Sequence, residues 1–402
     1  MRVLFVSMVS FHINSSATVQ NKGIVRGLVD LGCKVDVLTL KPLECSRGYD
    51  RSMNDVDGLI ERVFYINHDK KYTLVMAKKT KKGVSSRHKK GFGGVFQRGR
   101  HLTKHVYDSI AVFDAQKVNV KNVDDVKMDY SRYDLIISAS DPKSSHLIVE
   151  RIFRGNPDLS VRWIQYWGDP MLHDITRKNK WFNPIVKYRE RRVVSRADRV
   201  VYASPLTLDK QIATFPEFSH KMDYVNQVYA SVPSDVDESS GRDDDVLRVG
   251  YFGTYYSATR NIMPLYNSGN GSGFMLTICG ASDLTLASSE NIRIMDSVSY
   301  GEVIELEQDS DILVCICNMR GTQIPGKIYY YTSYQKPIII VLDGEHKDEL
   351  RRYFNTFKRF ILCDNNVESI RVAIEEAKTR LLECYELADE LTPKYMAKKI
   401  LG

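Results

Sequence analysis

Two short, wholly apolar runs, DILVCIC at Asp311–Cys317 and PIIIVL at Pro337–Leu342, constrain the fold of this chain most. Both are rich in Ile and Val and are bounded by turn residues. Runs without a polar face suit parallel strands covered on two sides. The loop between them ends in Pro325-Gly326-Lys327 and opens a short predicted helix. Free backbone N–H groups at a helix N-terminus, with a lysine one step inside, suit a diphosphate. In an open α/β sheet that position lies outside the carboxyl ends of the strands, where ligands bind.

The rest of the chain repeats strand and helix in two blocks. Arg2–Met8 reads as a strand; Ser15 or Ser16 then caps a helix to about Leu31, which Gly32 stops. Lys34–Leu40 and Arg62–Ile66 follow as strands. Further strands are predicted at Tyr133–Ser140, Val161–Trp167 and Arg199–Ser204, with helices at about 143–153, 184–196 and 205–215. The acidic, aperiodic SDVDESSGRDDD at Ser234–Asp245 reads as a linker. Beyond it, Val246–Phe252 starts a second series, with strands at Phe274–Cys279, Ile292–Met295 and Phe360–Cys363. A long helix from about Val367 to Glu390 is expected to end before Pro393. The reading is α/β: two Rossmann-like doubly wound domains facing across a cleft. The expected boundaries are 1–233, with a basic insertion at about 68–107, and 246–385. A C-terminal helix and tail over 386–402 would pack back toward the first domain.

Length and composition set bounds. A chain of 402 residues suits two α/β domains, and 43% hydrophobic with 27% charged residues is a globular composition. No apolar run reaches the roughly 18–20 residues that span a bilayer. MRVLFVSMVSF lacks a small-residue cleavage site and reads as a strand. Seven scattered cysteines point to a reducing, cytoplasmic setting, with Cys315 and Cys317 in the core. The first βα turn, SMVSFHINSS, lacks Gly-x-Gly-x-x-Gly, which disfavours an NAD enzyme. Lys70–Tyr107 holds twelve Lys or Arg and no Asp or Glu; the other 45 basic residues face 50 acidic ones. That tract reads as a solvated loop or as a contact with anionic membrane lipid. With few aromatics and no nucleic-acid motif around it, nucleic acid is not an expected partner.

Some positions are candidates from the residues alone. Asp169, His173 and Asp174 follow a strand end, where a carboxylate can position or deprotonate a hydroxyl, although Asp169-Pro170 is equally a turn. His12, Asn14, Ser15 and Ser16 occupy the first βα loop, as acceptor contacts or, for the serines, as helix caps.

Five segments carry a resemblance to a family: the opening RVLFVSMVSFHINSSATVQNKGIVRGLVDLGCKVDVLTL, DLIISASDP, RRVVSRADRVVYASPLT, RVGYFGTYYSATRNIMPLY and IPGKIYYYTSYQKPIIIV. The chain resembles the family-4 glycosyltransferases of the GT-B fold, of bacterial capsule, O-antigen and exopolysaccharide type. That resemblance implies a retaining, metal-independent hexosyltransferase, cytoplasmic and peripheral at the membrane. Its donor would be a nucleotide-sugar and its acceptor a polyprenyl-diphosphate-linked glycan; no cofactor is implied. Gly250, Gly253 and Thr254 would form the donor turn, with Pro325 and Gly326 opening the diphosphate loop. Arg260 and Lys327 would be the diphosphate cations, and Lys327→Ala would abolish transfer with the fold intact. Many members have glutamates where this chain has Thr322 and Tyr330, so the usual carboxylate clamp is absent. Two alternatives stand beside this one: a GT-B nucleotide-sugar 2-epimerase, and a catalytically inactive scaffold of a polysaccharide assembly complex.

Overall fold

The computed structural model describes residues 1–46, 48–53, 56–70, 73, 113–175, 177, 181–227, 246–385 and 388–402. Nearly all of the Lys70–Tyr107 tract and the Ser234–Asp245 segment lie outside the described residues.

The chain divides into two compact units, Met1–Val225 with Ala397–Gly402, and Asn226–Met396. In the first unit, strands β1 (Arg2–Ser7), β2 (Lys34–Leu40), β3 (Arg62–Ile66), β4 (Leu135–Ala139), β5 (Arg162–Trp167), β6 (Arg199–Tyr202) and β7 (Met222–Tyr224) form one sheet. Their order is β3-β2-β1-β4-β5-β6-β7 and every pairing is parallel. The first strand therefore sits inside the sheet, and the order reverses between β1 and β4. Helices α1 (Ser16–Asp30), α2 (Ser144–Gly155), α3 (Asn183–Ser195) and α4 (Pro205–Thr214) make the crossovers.

Local chemistry sets the first crossover. The Ser15 hydroxyl caps α1 by accepting from the Thr18 N–H at 3.2 Å. At the other end, Gly32 takes φ +78 and donates to Val29 O, while Cys33 N–H reaches back to Leu28 O. That paired 5→2 and 6→1 closure is a Schellman stop. It turns the chain straight into β2.

The second unit repeats the plan. Strands β8 (Leu247–Phe252), β9 (Phe274–Cys279), β10 (Ile292–Met295), β11 (Ile312–Ile316), β12 (Ile338–Leu342) and β13 (Ile361–Asp364) run in the order β10-β9-β8-β11-β12-β13, all parallel. Every residue of β11 and β12 is buried, as their unbroken apolar runs require. The helices are α5 (Met263–Ser268), α6 (Tyr300–Asp309), α7 (Lys327–Tyr331), α8 (Lys347–Asn355) and α9 (Val367–Thr379). Helix α10 (Pro393–Leu401) ends the chain; Arg199 of β6 donates to Lys399 O at 3.1 Å and to Asp223 at 2.6 Å.

The structure departs from the sequence reading in five of these elements. β7, α6 and α8 are additional. β7 has only three residues, and α8 buries only Leu350 and Phe354. Helix α6 carries a capping box between Ser299 and Glu302. The expected long helix stops at Thr379, and Pro393 opens α10 instead of only ending what precedes it. Proline fits a first helical turn because its missing N–H has no partner there anyway.

Gly250 lies inside β8, paired with Thr277 and Leu313, not in the turn after it. A Cβ there would stand 2.3 Å from the Phe252 ring and 2.4 Å from Ser310 Oγ. Gly250→Ala should therefore destabilise the chain by about 1–3 kcal/mol with or without any ligand. Urea denaturation checks this, and an unchanged midpoint would show that Phe252 and Ser310 give way to the methyl without cost.

Candidate functional site

Each sheet reverses its strand order once, and the loops at the carboxyl ends beside the reversal are the ligand position of such sheets. In the second unit these are the loops after β8 and β11. Gly253 N–H donates to Cys279 O at 2.9 Å, and a Cβ on Gly280 would stand 2.0 Å from Gly253 O. The β8 and β9 loops thus meet backbone to backbone, with Thr254 exposed at the turn.

Arg260 joins the two loops. Its Nη1 donates to Thr254 O at 2.8 Å and its Nε to Asn318 Oδ1 at 3.1 Å. Asn318 Nδ2 is held in turn by Gln323 O at 2.9 Å. Burial opposes the guanidinium charge, but the neighbouring Tyr251 and Cys315 hold the pKa above its usual value. Among the described residues no carboxylate pairs with it. The bonds to Thr254, Asn318 and Tyr251 leave guanidinium hydrogens over for an anion.

Lys327 does not match the expectation of a cation waiting for phosphate. Its ammonium is bonded to the carboxylate of Glu307 on α6, which is fully buried. Tyr334 donates to the other Glu307 oxygen at 2.9 Å. The rings of Phe252, Tyr330 and Tyr331 lie 5.8, 5.7 and 5.5 Å from the amine. The charge answers a buried carboxylate, and α7 is only five residues long. The neighbouring candidates follow the same pattern. Thr322 and Pro325 are buried, and the Tyr330 ring packs edge-on against Tyr334 at 5.9 Å. A Cβ on Gly326 would stand 2.4 Å from the Gln227 side chain.

In the first unit, β4 and β5 end alike, in Ser140-Asp141-Pro142 and Gly168-Asp169-Pro170. Parallel pairing sets the two aspartates side by side, with Asp174 close. Lys143, nearly buried, donates to Asp141 at 3.0 Å and to Asp174 at 2.7 Å. Lys143 thus bonds two of the three carboxyls and lies near the third, while Arg177 adds its charge near Asp174. Burial and the charges of Asp141 and Asp174 push the Asp169 carboxyl up to about 8. Burial likewise raises Glu190 to about 7 against the pull of two backbone N–H groups, of which Leu172 donates at 2.8 Å. A carboxyl that keeps its proton near neutrality can exchange it with a hydroxyl. Asp141, Lys143 and Glu190 were not singled out from the sequence; the repeated x-Asp-Pro ending was the available signal.

The remaining acceptor candidates have structural partners. Ser15 is the α1 cap and Ser16 the exposed first helical residue. Asn14 N–H bonds Gly48 O at 2.7 Å. His12 faces the Tyr49 ring at 6.1 Å, with a buried Nδ1 that has no hydrogen-bond partner. His173 is tied to Thr214 at the end of α4 by a 3.0 Å bond, and burial with nearby cations lowers its pKa.

Two outcomes are expected. Lys327→Ala leaves Glu307 buried without its cation, so it should cost about 3 kcal/mol of stability; a third of the lysine side chain is exposed, which keeps it at the low end. Denaturant unfolding of Lys327→Ala beside Lys327→Met/Glu307→Gln reads this: the double variant should recover much of the loss. Asp169 and Glu190 hold protons in the fold that the unfolded chain has already released. Their share of stability therefore falls as pH rises from about 4 toward 7 or 8. The urea midpoint of Asp169→Asn should drop less than that of the parent between pH 5 and pH 8; equal drops would remove the proton from Asp169.

No protein-family model matches the chain, and no curated protein sequence does. Solved structures do. The Candida albicans trehalose-6-phosphate phosphatase N-terminal domain superposes with a TM-score of 0.54 at 9% identity, over 100% of this chain and 93% of that one. TarM gives 0.51 at 7%, over 100% and 98%. An alpha-glucosyltransferase solved with UDP and a 13-mer DNA containing an HMU base gives 0.50 at 9%, over 100% and 95%. At these identities the likeness is one of fold. The chain has two Rossmann-like α/β domains, the arrangement of the GT-B fold.

Proposed function

We propose that this protein is a glycosyltransferase that takes a sugar from a nucleotide-sugar bound in the second unit. Arg260 carries the reading: it is a guanidinium fixed by neutral partners at the strand-order reversal, with donors to spare and no carboxylate partner among the described residues. Breaking the bond between sugar C1 and phosphate oxygen builds charge on the departing diphosphate. A preorganised cation stabilises that charge without reorganising. Planar N–H pairs also match two phosphate oxygens at once. The likeness to a structure holding UDP makes a uridine diphosphate sugar the first donor to try.

In the first unit, the carboxyl pair Asp141 and Asp169 is assigned to the acceptor hydroxyl: the member that is ionised takes the hydroxyl proton as the new bond to sugar C1 forms and the bond from C1 to phosphate oxygen breaks. The proposed acceptor is a lipid-linked glycan of a bacterial surface polysaccharide. Retention of configuration and independence from a metal belong to the same proposal. Proton NMR of the product and an assay in chelator read them.

A second reading, an inactive scaffold, is favoured by one observation. Lys327 is paired with Glu307, and Thr322 and Tyr330 are buried, at positions the resemblance assigns to donor binding. Calorimetry against nucleotides and nucleotide-sugars separates the two, and no binding at all would leave the scaffold. If transfer is found, Arg260→Gln should lower turnover on the order of 10²–10³ while the melting temperature holds. Unchanged turnover would remove the central assignment.

A further inference from the structure

Glu190, a fully buried carboxylate of the first unit, is a group that the transfer reading does not use. It stands on the inward stripe of α3 with Val186, Val193 and Val194. That stripe is tied to the sheet, because Gln165 of β5 donates to Val193 O at 2.9 Å. Glu190 Oε2 accepts the Leu172 N–H at 2.8 Å, and the Met171 N–H also bonds the carboxylate. Met171 and Leu172 lie midway between Asp169 and Asp174. The loop is therefore gripped at its centre from α3, and at its far end through His173 on Thr214 and Asp174 on Lys143. Lys143 and Arg177 are the cations near Glu190, and the Tyr202 hydroxyl is near it too. The Gln211 amide comes close enough to lower the Glu190 pKa without closing a bond of normal geometry. Burying a carboxylate is costly unless the bonds it makes offset the lost hydration. Here those bonds go to the backbone of one loop.

We propose that Glu190 is a positioning residue, which clamps the loop from Gly168 to Asp174 so that Asp169 stays beside Asp141. This rests on the reading that the aspartate pair receives the acceptor hydroxyl. Glu190 has no exposed surface and cannot touch that hydroxyl itself, whereas Asp169 is partly accessible. Its effect passes through the two N–H groups it holds. A displacement of about 1 Å at a reacting group lowers turnover on the order of 10²-fold.

Three substitutions in the full chain separate the accepting oxygen, its charge and its reach. Glu190→Gln keeps an acceptor at the same reach, and its amide N–H groups meet acceptors in Tyr202 and Gln211, whose oxygens have no hydrogen-bond partner among the described residues. Glu190→Asp keeps the charge but draws it back by about 1.5 Å. Glu190→Met keeps only the volume, and where it does not fold Glu190→Asp carries the test. Carboxyl carbon NMR of aspartate-labelled chain, assigned with Asp169→Asn, follows the Asp169 titration. Burial, Asp141 and Asp174 hold that carboxyl up, so its titration reports where the loop sits. Glu190→Gln should leave the titration near that of the parent, while Glu190→Asp and Glu190→Met move it toward the ordinary carboxylate range. With a uridine diphosphate sugar as donor, turnover should fall about 10²-fold in the latter two at unchanged donor KM, and Glu190→Gln should recover most of the loss. An Asp169 titration that Glu190→Asp and Glu190→Met leave unmoved overturns the clamp. So does a Glu190→Gln variant as impaired as Glu190→Met, which would make the charge and not the grip the essential feature. The titration needs no substrate, so it decides the clamp even where the parent transfers no sugar, an outcome that would sink the transfer reading alone.

Discussion

Everything in this molecule follows from burying parallel strands on both faces. A strand covered twice can have no polar side, so its polar chemistry is displaced to its ends. Because each sheet starts from an interior strand and grows outward in both directions, two neighbouring loops diverge at one point per sheet. In the second unit that point holds Arg260 between Thr254 and Asn318. In the first, the ends of β4 and β5 next to it hold Asp141, Asp169 and Lys143. Both groups sit where the apolar runs stop.

The charges left inside are balanced in three different ways. Glu307 has a lysine and a tyrosine hydroxyl, a compensated pair. Asp141, Asp169 and Asp174 share Lys143, with Arg177 near Asp174, and a proton kept on Asp169 relieves the crowding of carboxylates. Arg260 has only neutral oxygens and polarisable neighbours, and its surplus is met by nothing in the described residues. On the proposed reading the last two are where a ligand would act, because there the local charge remains open to change.

Much of the fold was legible because its signals are local. The runs ILVCI and IIIVL, the Ser15 cap and the Gly32 stop are each specified by residues within a few positions of one another. What escaped depends on distance. Lys327 reads as free until Glu307, twenty residues away in an acidic helix that looks solvent-facing, turns out to be buried beneath it. That helix carried its own notice in Ser299-x-x-Glu302, passed over because its apolar residues are few. Asp141 and Asp169 are 28 residues apart, and only the pairing of β4 with β5 makes neighbours of them. The family resemblance puts Gly250 in the donor turn, whereas it lies within β8 and the space it leaves is filled by Phe252 and Ser310.

The segment after α9 has a part to play beyond connecting. Arg359, almost wholly enclosed, donates to the carbonyls of Tyr334 and Lys336 and lies 4.0 Å from the centre of the Tyr385 ring. Gln335 then closes a two-way amide bridge to the Tyr385 backbone, at 2.7 and 2.8 Å. Tyr385 is thus the lid on a guanidinium at the amino ends of β12 and β13. Shortening the chain from its C-terminus past this ring would strip cover from a buried charge in the second unit, although the residues removed at the outset, Ala397–Gly402, belong to the first.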